Sequence, residues 1–530
     1  MTQAQTEIPP DLDSWNHKKD SALPSHRQVR VWRFVLAGTL ITLLYSIHLI
    51  YCQNSTLQHL DVVFTNSDMH TNLLWAKGIR EQGWLNAVPY HPYTTWMQPV
   101  ASYRQWVAWW GGEQIFQQSP LYAYLLALFF HRYLWMRILQ ALMSIATCVF
   151  IGLLAARVSG RSAGWIAFGL AALYAPFFVY SWPFLRDGLG WFISAALLWV
   201  LSELTQAVWP SARARMFAWP AGVLLGLGYL GRETFLLLIP VTLAVLACFA
   251  WKRAEWGVVP RVVIALLLTI SPLIARNWLV GAPLLSTSNR FAETFIQGHA
   301  RTAHPYKATI PVETGPILHE TNGRAWPVMR ASIASNAHGV WGWMKLQLLK
   351  LLSLFDPYES PDNLSCYFVA HVSPVVRFGL RYWMLLPLAL AGLCLSISRC
   401  DRTHVWIWLF LPSLLCSVLF GIPLSRYRQS MMVVFIPLAA YSLVIFSGWI
   451  RRRDFRAASA YAISVLIGWG LMLGPLAREP RSQYERVQEY VFSAQIFHML
   501  GQAQNEEAML NLVRQKFPEM LPSDPATIAK

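Results

Sequence analysis

The chain has 530 residues, 55% of them hydrophobic and 13% charged, with a mean hydropathy of +0.36. Soluble domains carry about a quarter charged residues, so this composition excludes an ordinary water-soluble globule and implies a polytopic membrane protein. The net charge of +16 sits in short basic loops between apolar stretches, a pattern that orients membrane segments and argues against nucleic acid as a partner.

Residues 1–30 are polar and basic, and the apolar stretch that follows lacks a small-residue cleavage site. It reads as an uncleaved anchor behind a cytoplasmic tail. A span needs about twenty apolar residues. Seven such stretches run from Arg33 to Tyr51, Leu134 to Ala156, Ala163 to Tyr180, Leu189 to Val208, Trp219 to Tyr229, Phe235 to Trp251 and Val262 to Trp278. Leu380 to Leu395, Val405 to Phe420, Met431 to Ile450 and Ala457 to Leu476 bring the total to about eleven, in an all-α membrane domain over residues 31–476.

With the N-terminus inside, the inner loops at 157–161, 213–215, 252–261, 399–402 and 451–456 are all basic. The outer segments 52–133 and 281–377 are long and of mixed charge, and residues 477–530 form an outer tail. In the first outer segment, Ser67 and Asp68 precede a helical pattern over Met69 to Glu81 that stops at Gly83, expected to lie on the membrane surface. The tail spaces Ala494, Phe497, Leu500, Gly501, Ala508, Leu512 and Phe517 as a helical hairpin, similar to one worn tetratricopeptide-type repeat.

Cys148, Cys248, Cys394 and Cys416 lie inside apolar stretches and no CxxC pair occurs, so neither a disulfide framework nor a zinc knuckle is implied. Cys52 and Cys366 are the pair that could meet outside the membrane. His70, His91, His299 and His304 show no ligand spacing and read as solvated or hydrogen-bonded side chains.

Ionisable groups near a bilayer are costly and usually have a task. Asp68, Arg186, Asp187, Arg232, Glu233, Arg276, Arg426 and Arg428 all map to the outer ends of spans, whereas the inner face shows only basic loops. Singly, each arginine could snorkel to headgroups, and Asp68 could merely serve its helix N-terminus. Jointly they point to one shared polar site. Guanidinium groups suit a phosphate carried on a lipid, and a carboxylate can take the proton of an attacking hydroxyl. Those parts suffice for sugar transfer from a polyprenyl phosphate, with Asp187 or Glu233 available to steady charge on the ring.

The runs NSDMHTNLLWAKGIREQGW, QSPLYAYLLALF, SWPFLRDGLGWF, GYLGRETFLLLIP, SPLIARNWLVGAPLLSTSNRFAETFIQGH, LFDPYESPDNLSCYF and RYRQSMMVVFIPLAAY resemble, in order, the GT-C fold glycosyltransferases of the protein O-mannosyltransferase and aminoarabinose-transferase type. The resemblance covers roughly residues 30 to 450. It implies an integral bacterial inner-membrane enzyme with an active site facing the periplasm and an N-in, C-out topology. Asp68 would be the catalytic acid of the first loop and Asp187 a second one; Arg232, Arg276, Arg426 and Arg428 would meet the donor phosphate. Arg186, Glu233, His70, Glu359 and Asn363 would support them. The implied partners are membrane lipid, a polyprenyl-phosphate sugar and a glycan, lipid or protein acceptor. Met69 replaces the family's usual acid after Asp68, and Gln117, Gln118 and Ser119 replace charged residues.

Three points stay open in the sequence. A divalent cation could bridge Asp68 and Asp187. A lipid-linked-sugar transporter would also gather arginines, although it should carry midplane charges and internal repeats that are not seen here. A non-catalytic envelope-assembly scaffold could use the tail and the second outer loop to hold partners.

Overall fold

The computed structural model describes residues 31–206, 211–253, 255–398, 404–422, 424–477 and 485–518. The expected cytoplasmic tail and the basic loop at 399–402 lie outside the described residues. Among the described residues all regular secondary structure is helical, apart from one isolated bridge between Tyr174 and Leu380. In lipid, a helix is the one open segment that satisfies its own backbone, so an apolar run of this length has little alternative.

Among the described residues seven helices are long and apolar enough to cross a bilayer: Val31–Gln53, Tyr133–Ser159, Asp187–Gln206, Phe235–Arg253, Val258–Val280, Met432–Arg451 and Phe455–Leu473. The protein is therefore an integral membrane protein. The Tyr382–Ser398 and Val405–Leu419 helices are apolar but shorter. The expected third span is broken into Arg161–Ala172 and Ala175–Val179. Pro176 cannot continue a helix, and the freed backbone is satisfied by Leu380, whose carbonyl accepts from Ala175 and whose amide donates to Leu173. The expected fifth span is the Ala212–Gly231 helix, which begins among arginines and contains Pro220.

Burial sorts these helices into a centre and a rim. The Asp187–Gln206 helix is 89% buried and forms the middle of the bundle, whereas Phe455–Leu473 is 22% buried and faces outward. Its first residue, Asp187, and its inner Glu203 are separated by sixteen residues, roughly 24 Å along the axis. The central helix thus delivers one acid to each end of the bundle. At the inner end Glu203 pairs with Arg157 at 3.3 Å and Arg213 at 2.6 Å, and Glu255 lies 3.6 Å from Arg215. The end of the bundle expected to face inward is therefore not purely basic, but neutralised in part by acids that reach it from the helices.

The Asp68–Gln82 helix forms, yet it does not lie free on the membrane. Met69, Leu73, Trp75, Ala76 and Ile79 are buried, and the helix packs against Leu121–Leu128. A smaller core of Trp106, Trp109, Trp110, Phe295, Ile317 and Val328 unites the two long outer segments. The tail forms the Val487–Met499 and Ala503–Lys516 helices around Gly501, whose φ of +68° suits glycine. The Phe492 ring packs against that of Phe64, tilted by 39° with centroids 4.8 Å apart, and Ser493 hydrogen-bonds Thr56 at 2.8 Å, so the tail seats against the segment leading to Asp68. Cys52 and Cys366 are both free thiols, buried and unlinked.

Close approach of two helices rests on Gly222 and Gly226, four residues apart on one face. A Cβ at Gly222 would stand 2.2 Å from the Val262 carbonyl, and one at Gly226 2.6 Å from Thr269. Gly222→Val should therefore push the Val258–Val280 helix away and cost about 1–3 kcal/mol. Thermal unfolding of detergent-purified protein, followed by the appearance of aggregate in size-exclusion chromatography, should show a lowered midpoint; an unchanged midpoint would count against this packing.

Candidate functional site

The site starts at a helix cap. Ser67 is extended, with φ −110° and ψ 155°, and its hydroxyl accepts the His70 amide at 3.1 Å. This places Asp68 in the first turn, where the helix dipole favours an anion. Asn363, nearly three hundred residues later, then fixes it twice: its carbonyl oxygen accepts the Asp68 amide at 2.8 Å and its Nδ2 donates to Oδ2 at 3.3 Å.

Arg426 is the hub. It sits in the short Ser425–Gln429 helix, and its Nη2 lies 2.7 Å from Asp68 and 2.9 Å from Asp362, while Nη1 stands 4.0 Å from Asp187. Asp187 also receives Arg232 at 3.2 Å, and Arg232 reaches the Ser430 hydroxyl at 3.4 Å. Gly190 makes room for that arginine, since a Cβ there would stand 2.6 Å from Arg232 Cδ. On the other side, Arg290 Nη1 is 3.4 Å from Asp68 Oδ1, and Gln118 Nε2 donates to the same oxygen at 3.4 Å. Arg186 pairs with Glu233 at 3.0 Å, and Glu233 also accepts the Ser119 amide at 3.0 Å.

These contacts drive the carboxyls apart. Burial alone would raise Asp68, but Arg426 and Arg290 outweigh it and hold the group well below the ordinary carboxylate range. Burial dominates at Asp362 and pushes its pKa up, with Arg426 opposing. One guanidinium thus stands between two carboxyls whose pKa values are moved in opposite directions. Exposure separates the acids further: the Asp68 side chain is 20% exposed and that of Asp187 2%. Asp68 is the more reachable of the two.

Among the described residues no three His, Cys, Asp or Glu side chains are disposed to hold a metal ion. Arg426 occupies the place between Asp68 and Asp187 where a bridging cation was conceivable from sequence. Its charge already serves the oxygens such an ion would use, so the donor set does not fit a divalent cation.

The structure thus brings Asp68, Asp187, Arg232, Arg426 and Asn363 together, with Arg186 and Glu233 alongside. It sets other expected residues apart. Arg276 donates to the carbonyls of Leu85, Asn86, Ala87 and Gln114 at 2.6–3.3 Å and lies over the Phe116 ring. Arg428 donates to the Ser353, Asp356 and Tyr358 carbonyls at 2.6–3.3 Å. Both guanidinium groups collect loop carbonyls. His70 turns its ring to the Asp61 carbonyl at 3.3 Å, and Glu359 is buried near the Tyr382 amide at 3.5 Å.

Arg290, Asp362 and Gln118 were not singled out as site residues from sequence. Arg290 and Asp362 stand within runs that carry the family resemblance, and Asp362 directly precedes Asn363, but neither lies at a span end. A second buried pair supports the site from below. Arg137 meets Asp61 at 2.8 Å beneath the Trp182 ring, and Asp61 accepts the Phe184 amide at 3.2 Å. Asn72 donates to the Phe184 carbonyl at 2.9 Å. The segment that ends in Arg186 and Asp187 is thereby tied to the one carrying Asp68. The tail holds the remaining side: Arg486 donates to the Asp362 carbonyl at 2.6 Å, and Glu489 accepts the Ser365 amide at 2.9 Å.

No protein-family model matches the chain, and no curated protein does. Among solved structures it overlaps the Archaeoglobus fulgidus oligosaccharyltransferase tethered to an acceptor peptide with an NVT sequon, at a TM-score of 0.46 and 13% identity, over 94% of this chain and 60% of that one. It likewise overlaps AglB from the same organism in complex with an inhibitory peptide and a dolichol-phosphate, at a TM-score of 0.42 and 13% identity, over 94% of this chain and 61% of that one. The chain therefore spans about 60% of the length of these proteins. Overlap this loose does not decide the chemistry, which has to be argued from the residues of the site.

Glu233 supplies a pH signature. Burial would raise it, but Arg186 and the Ser119 amide lower its pKa from 4.5 to about 2. A carboxyl depressed on folding stabilises the protein above its unfolded value, and that contribution fades as pH falls through the folded one. Wild type should thus be more stable than Glu233→Gln at pH 6, with the gap closing between pH 4.5 and 2. Paired melting curves across that range would check it; a gap that persists at the acid end would refute the assignment.

Proposed function

We propose that the chain is a GT-C type glycosyltransferase that moves a sugar from a polyprenyl-phosphate donor to a hydroxyl-bearing acceptor on the outer face of a bacterial cytoplasmic membrane. The observation that carries this reading is the Asp68 carboxylate, partly exposed and kept ionised between Arg426 and Arg290, with Asn363 fixing its direction.

A carboxylate so strongly paired is a weak base, and the donor would change that. A lipid phosphate carries the charge and oxygen geometry that guanidinium forks recognise, so it competes with Asp68 for Arg290 and Arg426. Once those contacts pass to the phosphate, the cause of the low Asp68 pKa is removed and its basicity rises. Asp68 then takes the proton of the acceptor hydroxyl as the oxygen attacks the anomeric carbon. The bond from that carbon to the phosphate oxygen breaks, and polyprenyl phosphate leaves with the electron pair, its charge met by the arginines. Attack opposite the leaving group inverts the anomeric centre. Arg276 and Arg428 act in this scheme as positioning residues, because their donors are spent on loop carbonyls.

The test is transfer of radiolabelled sugar from a polyprenyl-phosphate donor by reconstituted protein. Asp68→Asn should lower turnover by about 10²–10⁴-fold while leaving donor binding in place. A transporter would instead keep moving the intact donor across the vesicle, and full transfer by Asp68→Asn would sink the base assignment. Chelation with EDTA should leave wild-type turnover unchanged, since among the described residues no three acidic, His or Cys side chains are disposed to hold an ion; loss on chelation with recovery on adding Mn²⁺ would contradict that reading.

A further inference from the structure

The Val340–Ser353 helix of the second outer segment is turned inside out. Val340, Trp341, Met344 and Leu348 are 57%, 74%, 49% and 56% exposed. Apart from Val340 at the start, they fall at i, i+3 and i+7, so they form one outward stripe that Leu352 extends. The inward face carries the polar groups. Lys350 is fully buried, with Nζ on the Leu419 and Gly421 carbonyls at 3.0 and 2.9 Å. Trp343 donates its indole N–H to His299 at 2.8 Å, and Gln347 lies against the same ring at 3.1 Å.

Water would penalise this arrangement twice, by wetting a Trp, Met and Leu stripe and by removing a lysine from solvent. Hydrocarbon reverses the preference on both faces. The fastening point identifies which environment is present: of the two carbonyls that hold Lys350, that of Leu419 ends the apolar Val405–Leu419 helix and that of Gly421 lies just past its cap, where a cation is favoured. Phe420, next in line and 49% exposed, carries the apolar surface on from that helix end. Lys345, also outward, has a stem long enough to reach headgroups from among apolar neighbours.

We infer that the Val340–Ser353 helix lies in the interfacial layer of the bilayer on the side that carries Asp68, with Trp341, Met344 and Leu348 against lipid and not against water, a second copy or a protein partner. Continuity with the Val405–Leu419 helix is what selects lipid over the other occupants. Interfacial helices of this kind hold position through buried apolar area and flanking basic groups. The inference does not depend on the glycosyl-transfer reading. It does give the helix a place beside the site, since the chain leaves it at Ser353 directly into the carbonyls gathered by Arg428 and on to Asn363.

The full chain, reconstituted in phosphatidylethanolamine and phosphatidylglycerol nanodiscs, would be spin-labelled at Leu348→Cys and, as a water-facing control, at Glu320→Cys, with the signal of labelled wild type subtracted. The label at 348 should collide more often with oxygen than with a water-soluble nickel chelate, and the label at 320 the reverse. Trp341→Cys repeats the measurement on the same stripe should Leu348→Cys fail to fold. Frequent collisions with nickel at 348 would place the stripe in water; suppression of both relaxants would place it under protein. Either result overturns the inference.

Discussion

The end of the bundle that carries Asp68 depends on one guanidinium. Arg426 lies within 4.0 Å of three carboxylates that come from the first outer segment, the head of the central helix and the second outer segment. None of these charges could be buried alone, because an unpaired ion near a bilayer costs several kcal/mol or gives up its charge. Together they satisfy one another. Segments separated by hundreds of residues therefore have to arrive in register, and removing the arginine would leave Asp68 and Asp362, both partly exposed, without the charge that stands between them.

Around that hub the protein uses arginine in two different ways, and the partner type distinguishes them. Arg276 and Arg428 are saturated by backbone carbonyls, which a ligand could replace only by unravelling the loops they hold. Arg426, Arg290 and Arg232 face carboxylates, which are anions themselves. An incoming anion offers them an exchange of like for like. Arg137 with Asp61 and Arg486 with Glu489 are also carboxylate pairs, but their members hold backbone groups as well, Asp61 the Phe184 amide and Arg486 the Asp362 carbonyl, so they fix the chain on which the exchangeable pairs stand.

Much of this was legible in the sequence for local reasons. Apolar length marked most of the helices to within a few residues, the broken third span and the early start of the fifth at Ala212 being the exceptions, and a serine before an aspartate before a helical pattern marked the cap at Ser67 and the charge at Asp68. Charges at span ends flagged Asp187, Arg232 and Arg426, because a helix end is close to its place in three dimensions. The second outer segment has no such ruler. Arg290 meets Asp68 across 222 residues and Asn363 across 295, so no spacing could announce either contact. Arg276 has the same residue type and the same span-end position as Arg232. Only the fold of 85–87 and 114 around it separates a carbonyl clamp from a carboxylate partner. The break at Tyr174 was hidden because Leu380, which repairs it, lies two hundred residues downstream.

The charge balance of the cluster around Arg426 has a consequence for any ligand. Asp68, Asp187 and Asp362 are matched by Arg232, Arg290 and Arg426, so the site offers no surplus positive charge to attract an anion from afar. Attraction through the field of the site would need such a surplus. Without it, an anion has to be delivered by other means, and anchoring in the membrane is one that requires no field. A phosphate on a lipid is held at the headgroup layer by its hydrocarbon, so it meets the arginines at high local concentration and can displace Asp68 from them at short range. A soluble phosphate would face the same exchange without that advantage. Under the proposed glycosyl-transfer reading, a neutral cluster at the end of an apolar bundle favours a substrate that arrives through the bilayer, and its phosphate would free Asp68 from the arginines that suppress its basicity.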